Sequence, residues 1–191
     1  MRRKEAARIE EAIRKPFTDW KKLAVGTVFA LIPVLNFISV GYGLKNLKTP
    51  KKMPEFDYVN DFILGAKFFI LALVYALVPI VIGAILWYAD YEVAAAISIL
   101  IIALLLILPY VRAAIELGKT GALSSALEIK RMARESYTAK FFRLTIGMLI
   151  IAVLFGVVSA VFSRIPVVGW IVSAFLEFAA SIAVWSYAGS A

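Results

Sequence analysis

Long uncharged stretches alternate with short charged ones along most of the chain. Residues 68–87, 93–111 and 144–163 contain no charged side chain, and residues 165–187 contain one, Glu177. About 20 apolar residues in a helix are enough to cross the ~30 Å hydrocarbon core of a bilayer. The pattern therefore predicts four transmembrane helices, at residues 62–87, 93–112, 143–163 and 167–187.

An earlier uncharged stretch, residues 23–44, has the length of a span but contains a break. Pro33 lies in its middle, where proline removes a helix hydrogen bond and kinks the chain. Asn36 follows three residues later and favours a turn. We predict a re-entrant hairpin over residues 17–47, with two half-length helices that meet at Pro33 and Asn36. A proline-kinked helix that crosses the membrane is the alternative that this pattern leaves open.

The distribution of basic residues favours the hairpin. Eight lie in residues 1–22, five in 45–67 and seven in 112–143, and the last is Arg164. A hairpin puts 20 of them on one side of the membrane and one on the other, whereas a fifth span divides them 9 against 12. Positive residues in short loops mark the cytoplasmic face. We therefore expect a cell-membrane protein with both termini in the cytoplasm.

Composition supports an all-α integral membrane bundle formed by a single domain. The chain of 191 residues is 62% hydrophobic, against about 45–50% in soluble domains, and it is too short to bury four such helices in a soluble core. Its net charge of +8 indicates anionic lipid rather than nucleic acid as the partner. The depletion of thermolabile residues is typical of thermophiles.

The chain lacks cysteine and histidine, and with them the thiolate nucleophiles, imidazole bases and commonest metal ligands. We expect no metal, no cofactor and no enzymatic activity, although an acid–amine lipid enzyme stays open. Glu55, Asp57 and Asp61 lie within seven residues. This acidic group is more typical of a solvated loop or a helix cap than of a cation site.

Two cytoplasmic stretches are predicted to be interfacial helices. In residues 1–16, Glu10 with Arg14 and Glu11 with Lys15 are spaced for i,i+4 ion pairs. Residues 113–140 are expected to form one amphipathic helix on the anionic leaflet, with a solvated helical linker as the equal alternative. The cations that we expect to contact lipid are Lys130, Arg131, Arg134, Lys140 and Arg143.

Glu177 is the most unusual residue of the spans, because a charged side chain at mid-membrane is costly and usually faces a bundle interior or a wet cavity. Ser159 is expected near it. Pro79 leaves the carbonyl of Tyr75 without its helical donor, and that carbonyl or Ser159 could accept a hydrogen bond from a protonated Glu177. Two interpretations stay open: a proton or cation site on a transport path, and a structural hydrogen bond between helices or subunits.

Small residues repeat every four positions in the third span, at Ala152, Gly156 and Ala160. Such a face lets helix backbones approach closely. It predicts packing within the bundle or between subunits, and a homo-oligomer or a complex with another membrane protein is expected.

The first part of the chain resembles a catalogued family, domain of unknown function 4013, of archaeal and bacterial membrane proteins. The resemblance rests on Pro16-Phe17, Trp20, Lys22-Leu23, Gly26, Ile32-Pro33, Asn36-Phe37, Gly41-Tyr42, Pro54, Phe56-Asp57, Gly65, Lys67, Tyr75 and Pro79. The chain departs from the family at residues 55–57, where many members are expected to have a tryptophan. The resemblance implies a multi-pass membrane protein and supplies no catalytic residues.

Together these features predict a non-enzymatic membrane protein that engages anionic lipid or a partner protein through a basic cytoplasmic face. The alternative is a small channel or transporter for protons, ions or small solutes, built on Glu177 and the broken hairpin.

Overall fold

The computed structural model describes residues 2–166 and 168–190, and these residues form helices without any strand. The all-α prediction is confirmed. The helices are α1 Arg2–Arg14, α2 Trp20–Leu31, α3 Asn36–Lys45, α4 Tyr58–Tyr88, α5 Glu92–Thr120, α6 Leu123–Ala126, α7 Ile129–Ser136, α8 Ala139–Phe162 and α9 Val168–Gly189, with a 3-10 turn at Lys15–Thr18.

Four of these helices, α4, α5, α8 and α9, are long and apolar enough to cross a membrane. Only 11% to 33% of the residues in their most apolar windows are buried inside the protein. Most residues of these windows are therefore at least partly accessible, as they are in helices that face lipid. The four spans predicted from the sequence overlap these helices, and α5 is longer than its predicted span. Residue 167 of the fourth predicted span and residue 1 of the predicted N-terminal helix lie outside the described residues.

Contacts group the chain into two compact units, a finer division than the single domain expected from the sequence. The first, which we call the hairpin unit, contains Met1–Ala66 and Arg143–Ala191. The second, which we call the central unit, contains Lys67–Phe142.

In the hairpin unit, the helix breaks where the sequence predicts. α2 ends at Leu31 and α3 begins at Asn36, with a turn closed by a hydrogen bond from the Asn36 N–H to the carbonyl of Ile32, 2.8 Å. The two helices pack side by side, and the Ser39 hydroxyl donates to the carbonyl of Gly26 at 2.8 Å. Residues 23–44 therefore do not form one helix, whether straight or kinked, because α3 folds back beside α2.

The two ends of this hairpin meet at one residue. The Nζ of Lys22, at the start of α2, lies 2.7 Å from the Oε1 of Glu55. The Nζ of Lys45, at the end of α3, donates to the backbone carbonyl of the same residue at 2.6 Å. A chain that leaves and returns to one point has the geometry that a re-entrant hairpin requires, and its position in a bilayer stays a prediction.

Close backbone contacts hold the hairpin against α4. A Cβ placed on Gly41 would lie 1.8 Å from the carbonyl oxygen of Asp61, and one placed on Gly65 would lie 1.9 Å from the carbonyl oxygen of Phe37. Only glycine fits at such a crossing. The hairpin also packs along α9, where Gly43 adjoins the Ser181 hydroxyl.

In the central unit, the predicted single helix over residues 113–140 is wrong. Helix α5 continues past residue 113 and ends at Thr120. The next residue, Gly121, caps the helix: its φ is +74°, and its N–H donates to the carbonyl of Leu117 at 2.7 Å. Glycine adopts this left-handed conformation readily and ends helices for that reason. The chain then forms the short helices α6 and α7, and α7 returns along α5.

Candidate functional site

An open groove of about 650 Å³ lies between α8 and α9 in the hairpin unit. It extends from the turn that joins the two helices to the middle of both. Its polar lining consists of one carboxylate and three hydroxyl groups, and the remaining walls are apolar or small. The polar residues are Glu177, Ser159, Ser163 and Ser173; the others include Phe155, Ile165, Pro166, Trp170 and Leu176.

Glu177 lies on the exposed side of α9 within this groove. Among the described residues, its carboxylate has no hydrogen bond and no ion pair, and Ser159 beside it also lacks a side-chain hydrogen bond. The Ser173 hydroxyl is buried and has no hydrogen-bond partner either. Only Ser163 is satisfied, because it donates to the carbonyl of Ala160 at 2.9 Å. The groove therefore contains unused hydrogen-bonding capacity.

The residues of the predicted intramembrane site are divided between the two units. Glu177 and Ser159 line one groove, but Tyr75 and Pro79 belong to the central unit. There, the Tyr75 ring is 5% exposed and packs at 5.7 Å from that of Tyr110. Its hydroxyl is buried without a hydrogen-bond partner among the described residues. Ser173 was not singled out as a site residue, and its spacing of four residues from Glu177 on α9 was the available signal.

The small-residue face of α8 lines the same groove. Ala152 and Ala160 are exposed, and a Cβ placed on Gly156 would meet no described atom within 4 Å. The hairpin unit leaves this face exposed, and its packing within the bundle stays a prediction. Packing against a second subunit stays a prediction.

The basic residues of the central unit are divided into paired and unpaired groups. Arg131, predicted to contact lipid, instead binds carboxylates: its Nη2 lies 3.2 Å from Glu116 Oε1, and its Nε lies 3.4 Å from Glu128 Oε2. The Arg112 Nε donates to the Oε2 of Glu135 at 2.9 Å. Carboxylates of α5 and of the α7 segment thus offset the charge of Arg131, and its contact with lipid stays a prediction.

The remaining predicted lipid contacts are exposed. Lys130, Arg134 and Lys140 have exposed side chains in the central unit, without an ion pair among the described residues. Arg143 is likewise exposed in the hairpin unit. The acidic neighbours of α7 are used by the two arginines, so the outward face of α7 is basic.

Tyr137 stabilises the position of α7 in a way that the sequence did not suggest. Pro109 lies inside α5 and has no N–H, so the carbonyl of Leu105 loses its helical donor. The Tyr137 hydroxyl, just past the end of α7, donates to that carbonyl. Together with the arginine pairs, this hydrogen bond fixes α7 antiparallel to α5.

A buried lysine joins three parts of the hairpin unit. Lys15 is 3% exposed, and its Nζ donates to the carbonyl of Thr49 at 2.5 Å and to the Ser186 hydroxyl at 2.9 Å. Burial without a carboxylate lowers the pKa of Lys15 to about 8. The predicted pair of Glu11 with Lys15 is therefore not formed, while that of Glu10 with Arg14 is confirmed at 2.7 Å.

The acidic residues beside the hairpin have separate partners. Asp61 is buried, pairs with Lys45 at 3.0 Å and accepts a hydrogen bond from the N–H of Asp57. Asp57 in turn accepts from the side-chain amide of Asn60 at 2.7 Å. Within residues 2–166 and 168–190, no cluster of three acidic side chains that could hold a metal ion is found. These carboxylates stabilise the start of α4.

Comparison with known proteins identifies a family. The family described as "Protein of unknown function (DUF4013)" matches residues 25–165, about three quarters of the chain. No curated protein and no solved structure matches this chain.

Proposed function

This chain belongs to the family of proteins of unknown function DUF4013, and since that membership supplies no activity, we propose a function from the geometry. The protein is a non-enzymatic membrane component that binds anionic lipid headgroups through the basic face of α7. That face lies on the cytoplasmic side together with both termini.

The charge separation around α7 carries this proposal. Its acidic neighbours pair with Arg112 and Arg131, and Lys130 and Arg134 extend outward unpaired. The adjacent side chains of Ile129 and Tyr137 are also exposed, at 40% and 56%. A surface that combines cations with apolar side chains is typical of segments that lie in the headgroup region.

Lipid binding is tested with the double variant Lys130→Gln/Arg134→Gln in nanodiscs. Each cation near an anionic surface contributes about 1 kcal/mol, so the affinity for fluorescent phosphatidylglycerol in a phosphatidylcholine background is expected to fall roughly 30-fold. Arg164→Gln, which removes a charge at the turn between α8 and α9, serves as the control and should leave the affinity unchanged. Equal affinities for the wild type and the double variant would refute lipid binding by α7.

A channel or transporter is the second candidate, and the groove between α8 and α9 favours it. One face gathers Glu177 with three hydroxyl groups, and the groove extends from the turn between the helices to mid-helix. Ionisable residues within spans commonly mark ion and substrate paths. Proton or cation flux into proteoliposomes should then fall in Glu177→Gln and persist in Ser98→Ala, a span serine in the central unit. Flux that is unchanged in Glu177→Gln would reject this candidate.

A further inference from the structure

Glu177 has no lysine or arginine near its own depth in α8 or α9, because Lys140 and Arg143 lie at the far start of α8. Residues 144–163 and 165–187 contain no lysine or arginine, and the carboxylate makes no ion pair among the described residues. A carboxylate held at mid-membrane is costly when unpaired, and a bound positive charge offsets much of that cost. The groove thus has a site of negative charge that a cationic ligand would balance.

The hydroxyl groups indicate which kind of cation fits. The Ser173 hydroxyl is buried and lacks a partner, and a buried polar group in that state requires an explanation. Ser159 lines the same groove with its hydroxyl also unpaired. A primary ammonium has three donors, and Glu177 with these two hydroxyls offers three acceptors. A bare metal ion would need more oxygen ligands than the groove provides.

The walls of the groove suit an apolar body attached to that ammonium. Its volume of about 650 Å³ is within the range of small-molecule sites, about 300–1,000 Å³. Trp170 lies two turns from Glu177 along α9, or roughly 10 Å at 1.5 Å per residue. Ile165 and Pro166 line the groove near the turn. An indole ring offers a large apolar surface against which such a body can pack.

We infer that the groove between α8 and α9 binds a lipophilic primary amine, with its ammonium group at Glu177, Ser159 and Ser173 and its apolar body extending towards Trp170. This inference names the class of solute for the transport candidate. Binding itself requires neither flux nor lipid contact.

The experiment titrates the full chain in phosphatidylcholine nanodiscs with 2-phenylethylamine and follows heat by calorimetry. Two probes of similar shape, 2-phenylethanol and 3-phenylpropanoate, replace the ammonium by a neutral and by a negative group. Hydrogen bonds to a charged group are the strong ones, so the amine should bind about 10- to 100-fold more tightly than either analogue. Empty nanodiscs provide the correction for partitioning.

Variants locate the site. Glu177→Gln should weaken amine binding about 10-fold or more, and Ser173→Ala by about 3- to 10-fold, while Ser98→Ala should bind like the wild type. Thermal unfolding of each variant verifies that it is folded. Because Glu177→Gln retains the shape of the side chain, unchanged amine affinity in that variant overturns the inference.

Other outcomes are equally decisive. If the alcohol binds as tightly as the amine, the groove is an apolar crevice without selectivity for the ammonium, and the inference is overturned. The inference is also overturned if the amine does not bind and crosslinking shows dimers that cover the groove. Amine binding that depends on Glu177 without any flux supports the inference and rejects the transport candidate. Proton flux that depends on Glu177, in a protein that does not bind the amine, supports the transport candidate and overturns the inference.

Discussion

Gly41→Ala is expected to separate the hairpin from the start of α4. The new Cβ would lie 1.8 Å from the carbonyl oxygen of Asp61 and 2.9 Å from the backbone nitrogen of Gly65. Both neighbours are backbone atoms, so no side-chain rotation relieves the contact. Gly65 faces the hairpin in the same way, with the carbonyl of Phe37 opposite it.

The structure sets the size of the effect. Ordinary van der Waals contact begins at 3.4 Å, so the two helices must move apart by about 1.6 Å at this crossing. Overpacking usually costs about 1–3 kcal/mol, and a contact with backbone belongs at the upper end. Alanine regains about 1 kcal/mol through its higher helix propensity. We therefore expect a net loss of about 2 kcal/mol in the free energy of unfolding.

The matched control is Gly156→Ala, because a Cβ at that position meets nothing within 4 Å. It gains the same helix propensity without the clash, so it should be more stable than the wild type by about 0.5–1 kcal/mol. Both variants are unfolded in mixed micelles by titration with a denaturing detergent, followed by tryptophan fluorescence. If Gly41→Ala proved as stable as Gly156→Ala, the close packing of the hairpin on α4 would be refuted.

Three further predictions concern contacts outside that crossing. Tyr137→Phe leaves the carbonyl of Leu105 without a donor and should lower the free energy of unfolding by about 1–2 kcal/mol, whereas a loss below 0.3 kcal/mol would contradict this bond. Arg131→Met removes the partner of Glu128 and one of the two arginines beside the part-buried Glu116. It should destabilise the protein modestly in micelles without weakening phosphatidylglycerol binding; weaker binding at unchanged stability would place Arg131 on the lipid face. For Lys15, whose pKa falls from 10.5 to about 8 on burial, the unfolded state binds more protons between these values. The free energy of unfolding of the wild type, relative to that of Lys15→Met, should then rise by up to about 3 kcal/mol from pH 8 to 10.5. If the difference between the two proteins did not change with pH, Lys15 would not be a buried amine.

The spans and the break of the hairpin could be predicted because they depend on local properties. An uncharged stretch of about 20 residues has few alternatives to a transmembrane helix. Pro33 lacks an N–H and is followed by Asn36, which favours a turn, whereas Pro79 and Pro109 lie inside helices that continue past them. The end of α5 also depends on a local property, the glycine at position 121. It was missed because the amphipathic pattern continues past that residue.

The pairing of individual charges could not be predicted, since it depends on tertiary neighbours. Lys15 and Glu11 have suitable spacing, yet the 3-10 turn moves Lys15 away from the helix face and towards Thr49 and Ser186. Arg131 looks like any other cation of its helix until α7 folds back along α5. Spacing along a helix specifies possible partners, and packing selects among them.

Part of the candidate site could be predicted, because two of its residues lie on helices that are neighbours in the chain. Glu177 and Ser159 could be related because a tight turn joins their two helices, which fixes the relative depth of both residues. Tyr75 and Pro79 lie on another helix, and sequence alone gives no register between helices that are not neighbours in the chain.

The central claim is that residues 17–47 enter and leave on one side of the membrane. The chain has no cysteine, so a membrane-impermeant maleimide reports the sidedness of single variants without background labelling. In sealed vesicles of known orientation, Glu11→Cys and Lys51→Cys should react from the same side, and Arg164→Cys should react from the opposite one. Reaction of Lys51→Cys from the side of Arg164→Cys would contradict the hairpin and the basic cytoplasmic face that depends on it.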